Sequence, residues 1–130
     1  ESGLISYGAD TDDKSNPFEL GLDRFIDLER SSDFIGKDAL LKIRDHGVNR
    51  RFKGILMDGP KLIGTNEHRW QISQQGRDFG YVSAAAFSPR LDSNIAVGMV
   101  SVEAMQTEAR FEVHCGDCVR SGIAVDLPLI

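Results

Sequence analysis

From Arg51 onward the apolar residues fall into six short runs: RFKGILM, RWQIS, FGYVSAAAF, NIAVGMVSV, ARFEVHC and VRSGIAVDL. Glycine, proline, asparagine and aspartate separate them, so each run reads as a strand bounded by turns. Six short strands in about 80 residues predict a closed or nearly closed antiparallel barrel. The first part of the chain follows another pattern. Phe25, Ile26 and Leu28 make a brief strand-like run, after which Ser31-Ser32-Asp33 offers a turn or a helix N-cap. In FIGKDALLKIRDHG the period becomes helical: Leu40, Leu41 and Ile43 form one stripe, Ala39 favours the helix and Gly47 supplies its stop. A seam near Gly47 to Arg50 therefore divides the chain into residues 1–48, a strand–helix segment, and residues 49–130, the barrel. Neither part contains an internal repeat or a low-complexity tract.

At 130 residues and 41% apolar, the chain is long enough for one compact core. Residues 1–50 carry 11 acidic against 7 basic side chains and residues 51–130 carry 9 against 8, so most of the net charge of −5 lies before the seam. Only Arg50-Arg51-Phe52-Lys53 is locally basic, which argues against a nucleic-acid partner bound by phosphate neutralisation. Uncharged stretches such as Tyr81 to Pro89 and Asn94 to Val102 fall far short of the ~20 residues of a membrane helix, and no membrane partner is expected. Two cysteines are too few for a disulfide scaffold, and no Asn-x-Ser/Thr acceptor occurs, so a cytoplasmic location is expected.

Candidate chemistry thins out on inspection. HCGDC gathers His114, Cys115 and Cys118, but tetrahedral zinc needs four ligands and no second knuckle exists. Gly116-Asp117 reads instead as the two-residue turn of a hairpin, with the cysteines facing each other across it and no helix N-terminus to stabilise a redox thiolate. DTDDKSNPFEL starts like a calcium loop, yet Ser15 replaces the glycine of the sharp turn and Gly21 the bidentate glutamate; a solvated acidic turn is the expectation. His46 and His68 have no recognisable partners, IGKDAL lacks the upstream glycine of a phosphate cradle, and no nucleophile elbow or dinucleotide fingerprint occurs. No catalytic residue and no metal ligand is assigned.

Five blocks, ESGLISYG, NPFELGLDRFIDL, DFIGKDALLKI, GYVSAAAFSPRLDSNIAVGMV and VDLPLI, resemble in order and interval the C-terminal third of the glycine-cleavage T-protein (aminomethyltransferase) family. Only Met57 to Gln75 carries no likeness. Within that family the blocks look most like the dimethylsulfoniopropionate demethylase branch. Ala84 and Ala85 replace the usual Ser-Gly, which agrees with that branch and removes an expected polar contact from this loop. The arginine that many T-proteins carry near the C-terminus is missing after Leu129-Ile130.

The resemblance implies that Glu1 is an interior residue of a protein of about 350–400 residues. It also implies a three-lobed ring whose central channel binds tetrahydrofolate, the cofactor that accepts the one-carbon unit. The fold expected is mostly β with some α: a C-terminal six-stranded antiparallel barrel of Greek-key type, preceded by a strand–helix segment contributed to the folate-binding domain. The first ~45 residues would then look like a detached arm. Tyr7, at the channel wall, and Glu1, in the same motif, are the residues matched to folate binding. The implied reaction demethylates dimethylsulfoniopropionate to methylmercaptopropionate; aminomethyl transfer, or a non-catalytic interaction module, are the alternatives. Partners expected are a small-molecule methyl donor, the N-terminal part of the same protein and, in a homodimer, a second copy. The chain alone is expected to be inactive.

Overall fold

The computed structural model describes residues 1–106 and 110–130, with nothing of the Gln106 side chain. Six strands form a closed barrel: β1 (Arg50–Met57), β2 (Trp70–Gln74), β3 (Arg77–Ser88), β4 (Ser93–Ser101), β5 (Phe111–Cys115) and β6 (Cys118–Val125). Around it they run β1-β4-β3-β2-β5-β6, every observed pair antiparallel. β2, β3 and β4 form consecutive hairpins and β1 returns beside β4, which is Greek-key connectivity. The six apolar runs thus become the six strands; Ala109, at the head of the fifth run, lies outside the described residues.

Alternation along the strands turns Ile55, Met57, Ile72, Val82, Ala85, Ala96, Val100, Phe111 and Val113 into one buried cluster inside the barrel. β4 departs from alternation, with Asn94, Ile95, Ala96, Gly98, Met99 and Val100 all buried. Met99 pairs with Phe52 on one side and Tyr81 on the other, so the three share the outer face. Phe52 and Met99 are only 5% and 1% exposed there, because both chain ends lie over that face. Glu19 O accepts from Phe52 N at 2.7 Å, and Tyr81 OH donates to Asp10 O at 3.3 Å. From the other end of the chain, Leu127 and Leu129 fill the space over Gly54, where a Cβ would stand 2.6 Å from the Leu129 side chain.

Residues 1–22 are therefore not a detached arm. Glu19, largely buried, takes Arg50 Nε at 2.9 Å, and this hydrogen bond holds the guanidinium pKa above its ordinary value. The helix α1 (Lys37–His46) does stand apart: none of its residues is buried, and Leu40, Leu41 and Ile43 remain half-exposed. Gly47 ends it as expected, its N–H donating to Ile43 O at 2.8 Å.

Three expectations need correction. Phe25, Ile26 and Leu28 form no strand; Asp23–Phe25 is a single 3-10 turn, with Phe25 70% exposed. Among the described residues no strand pairs with them, and Asp27 Oδ1 accepts from the Glu29 and Arg30 amides, a local alternative to extended pairing. Ser31 and Ser32 bend the chain, as the turn alternative has it, but they cap no helix: α1 begins after Gly36 without a side-chain cap. The run NIAVGMVSV stops at Ser101, and Val102–Gln106 forms a short helix, α2, that places Ala104 in the core. Arg77 clasps Glu103 of α2 with two hydrogen bonds of 2.9 and 3.0 Å.

The crossover from β1 to β2 is held by two asparagines. Asn94 accepts from Leu62 N and donates to the Gly59 and Pro60 carbonyls. Asn66 donates to Ser83 O at 3.0 Å and accepts from Ala85 N at 2.7 Å, spanning a bulge in β3 between Val82 and Ala84. At the far end Cys115 pairs with Cys118 across Gly116-Asp117, both free, as the turn reading requires. Among the described residues no group of three or more His, Cys, Asp or Glu can hold a metal, and no helix is long and apolar enough to cross a membrane.

Two consequences are measurable. β3 and β4 approach so closely that a Cβ on Gly98 would overlap the Tyr81 carbonyl oxygen and stand 2.8 Å from Val82 Cα. Gly98→Ala should destabilise the chain by about 2–3 kcal/mol, read as a lower urea midpoint at unchanged slope. An unmoved midpoint would show that the strands separate freely. The Cys115 thiol is pushed up by burial and then by its neighbour Cys118, so it stays protonated to higher pH. At pH 8 iodoacetamide should therefore modify Cys118 at least about threefold faster, checked by peptide mass mapping; equal rates would contradict it.

Candidate functional site

The stretch ESGLISYGAD lies across the outer face of β3. Glu1 O accepts from Leu129 N at 2.9 Å, and the Glu1 carboxylate takes the buried Ser88 hydroxyl at the end of β3. Residues 6–11 then form a tight loop. Gly8 N donates to Thr11 O at 2.7 Å, Asp10 N to Ser6 O at 3.0 Å and Ser6 N to Asp10 Oδ2 at 2.8 Å. The glycine at position 8 has φ of +93°, which lets the chain reverse immediately after Tyr7.

Three barrel side chains grip this loop. Ser83, standing at the β3 bulge, donates its hydroxyl to Asp10 Oδ1. Arg69 donates to Ala9 O from Nε and Nη2, at 3.3 and 3.0 Å, while its guanidinium lies 4.2 Å above the Tyr81 ring. Tyr81 in turn donates to Asp10 O. Asp10 is left 5% exposed, whereas Tyr7 is 77% exposed. The loop is pinned on both sides of Tyr7, and the ring projects from it.

Of the two residues matched to folate binding, Tyr7 faces solvent and Glu1 is engaged by Ser88 and the C-terminal tail. No hydrogen bond joins Glu1 to Tyr7 among the described residues. Within this chain Tyr7 is an exposed side chain on a braced loop and is packed into no core. Sequence reasoning missed Asp10, Ser83 and Arg69. Asp10 reads as part of a solvated acidic turn, but its carboxylate is buried. The loop with Ala84 and Ala85 reads as having lost its polar contact, but Ser83 supplies one. The signal lay in long-range pairing across sixty to seventy-three residues, which local pattern does not carry.

Of the open clefts, one lies at the start of this stretch and another lies away from it, beside α1. One, of about 420 Å³, lies between residues 2–5, the stretch 19–24 and the C-terminal tail, beside the Lys53–Asp126 ion pair. Hydrogen bonding to Lys53 holds the exposed Asp126 carboxyl below its ordinary range. The other, of about 390 Å³, lies between Ile26, Leu28 and the α1 residues Ile43 and Arg44. On the far side of the barrel Ser73 Oγ lies 2.7 Å from His114 Nε2 and 3.2 Å from Glu112 Oε2. Hydroxyl and carboxylate meet the same ring nitrogen, 4.0 Å from the carboxylate, whereas a nucleophilic relay places them on opposite nitrogens.

Residues 50–130 match the glycine cleavage T-protein C-terminal barrel domain. The chain is 34% identical over 126 residues to an aminomethyltransferase of Caldanaerobacter subterraneus subsp. tengcongensis, covering 97% of this chain and 33% of that protein. It is 36% identical over 105 residues to one from Thermosipho melanesiensis, covering 79% of this chain and 26% of that protein. The crystal structure of glycine cleavage system aminomethyltransferase T from Bartonella henselae superposes with a TM-score of 0.84 at 20% identity, over 99% of this chain and 36% of that one, a likeness of fold. The chain spans about a third of the length of these relatives. With more than half of its residues inside the matched barrel, the chain belongs to the glycine cleavage T-protein family, of which it carries the C-terminal barrel domain.

Proposed function

We propose that the chain forms the C-terminal part of a tetrahydrofolate-dependent one-carbon transferase and that Tyr7 contacts the folate. The observation that carries this reading is the exposed Tyr7 ring on a loop pinned at Ser6, Ala9 and Asp10. An aromatic side chain held in place before its ligand arrives loses little freedom on binding, and its face and hydroxyl suit a flat, polar-edged ring system. The rest of the site is supplied by the other two-thirds of the protein. The half-exposed stripe of Leu40, Leu41 and Ile43, with exposed Leu4 and Phe25, is the apolar surface on which that part would rest.

For the donor we favour the sulfonium methyl of dimethylsulfoniopropionate, on the strength of Ala84-Ala85 and the terminal DLPLI. In that reaction the S–CH₃ bond breaks as the bond to folate N5 forms. The sulfur would leave as a neutral thioether, methylmercaptopropionate, and the N5 proton would be released to solvent. Protein groups then contribute chiefly alignment in a water-excluded channel. Aminomethyl transfer is the second reading, favoured by the names of the relatives. Assay of the full-length protein separates the two: methylmercaptopropionate formed from dimethylsulfoniopropionate and tetrahydrofolate supports the first. Turnover only with a protein-bound aminomethyl donor supports the second.

In the full-length protein Tyr7→Phe should weaken tetrahydrofolate binding by the loss of about one hydrogen bond, roughly 0.5–1.5 kcal/mol, with the melting temperature almost unchanged. A lower melting temperature at unchanged affinity would remove Tyr7 from the site. The isolated 130 residues should show neither methyl transfer nor micromolar affinity, since about 8 kcal/mol is more than one wall of a channel provides. Calorimetric titration of tetrahydrofolate into the chain decides this.

A further inference from the structure

We propose that Ser83 and Asp10 are positioning residues, through which a bulge in the barrel sets the place of Tyr7 and hence the affinity for folate. The inference rests on the reading of Tyr7 given above, and its observations concern other residues.

The bulge comes first. Between Val82 and Ala84 the register of β3 against β4 shifts, leaving Ser83 as the extra residue. Asn66 satisfies the backbone on both sides, donating to Ser83 O and accepting from Ala85 N. A bulge re-aims a side chain that a regular strand would send elsewhere. Here the Ser83 hydroxyl points to Asp10 Oδ1, with the Val97 carbonyl oxygen 3.2 Å from the same Oγ; the carboxylate is the stronger acceptor.

Asp10 is the second observation. The residue is 5% exposed, and among the described residues its carboxylate forms no ion pair; its partners are the Ser6 amide and the Ser83 hydroxyl. Burying a carboxylate is costly unless it is hydrogen-bonded, and well-packed apolar residues usually hold a loop at lower cost. What the carboxylate adds is direction. One oxygen holds the backbone immediately before Tyr7, the other is tied to the barrel, and Arg69 holds Ala9 O two residues after it. Tyr7 itself touches none of these groups through a hydrogen bond of its side chain. Its ring is placed by its neighbours, so a change at Ser83 should reach folate only through Tyr7.

The test is a double-mutant cycle in the full-length protein, with tetrahydrofolate as ligand and hydrogen exchange at Gly8 and Asp10 as a second readout. Ser83→Ala should weaken tetrahydrofolate binding about fivefold and speed exchange at both amides, while Ser83→Thr, which keeps the hydroxyl, should restore both. In the Tyr7→Ala background Ser83→Ala should change affinity less than about twofold. Asp10→Asn, nearly isosteric, should behave like Ser83→Ala and serves if that variant folds poorly. An equal loss in the two backgrounds, or faster exchange with unchanged affinity, would overturn the proposal. If Tyr7→Ala leaves affinity unchanged, the folate contact itself fails and positioning falls with it. If Tyr7→Ala weakens binding and neither Ser83→Ala nor Asp10→Asn does, only the positioning role fails.

Discussion

The structure turns on a strand that is buried on both faces. Inside the barrel β4 contributes Ala96 and Val100 to the core; outside, Ile95 and Met99 are just as inaccessible. An antiparallel strand can leave its outer face in water, but a row of Tyr81, Met99 and Phe52 across three strands cannot be left there cheaply. Covering Phe52 and Met99 is worth about 1.5–3 kcal/mol each. Residues 1–22 and the tail from Leu127 supply the cover, and everything that projects from that cover inherits its position from the barrel.

Polar chemistry then fixes the register of the cover. Apolar contact alone would let the segment slide, whereas Glu19 with Arg50 and Phe52 N, and Asp10 with Ser83 and Ser6 N, each specify one alignment. The contacts are spread along the segment, at Glu1, Ala9, Asp10 and Glu19, so the chain is stapled at intervals. Between two of these staples stands Tyr7. Rigidity at an exposed aromatic ring, produced by buried groups beneath it, joins the packing of this domain to the recognition proposed for it.

The helix shows the complementary case. α1 has its stop at Gly47 and its stripe at Leu40, Leu41 and Ile43, and it is tied mainly to the loop before it, through Lys37 with Arg30 O and Arg44 with Glu29. Ion pairs as exposed as Arg44–Glu29 contribute little to stability. The stripe thus remains half-exposed, because no element of the described residues buries it.

By itself the sequence determined the local and periodic features. Six strands follow from six apolar runs and their turns, the helix from its 3.6-residue stripe, and the cysteine hairpin from Gly116-Asp117. Each is decided by the backbone preferences and side-chain alternation of neighbouring residues. Tertiary structure alone decided that the run at Phe25 would not pair, that β4 would end at Ser101 so that Ala104 enters the core, and that Asp10 would be buried against Ser83. Those outcomes depend on which groups from distant parts of the chain arrive at the same place. An acidic residue in a turn is cheapest in water, and only a hydroxyl delivered by a bulge seventy-three residues away makes its burial favourable.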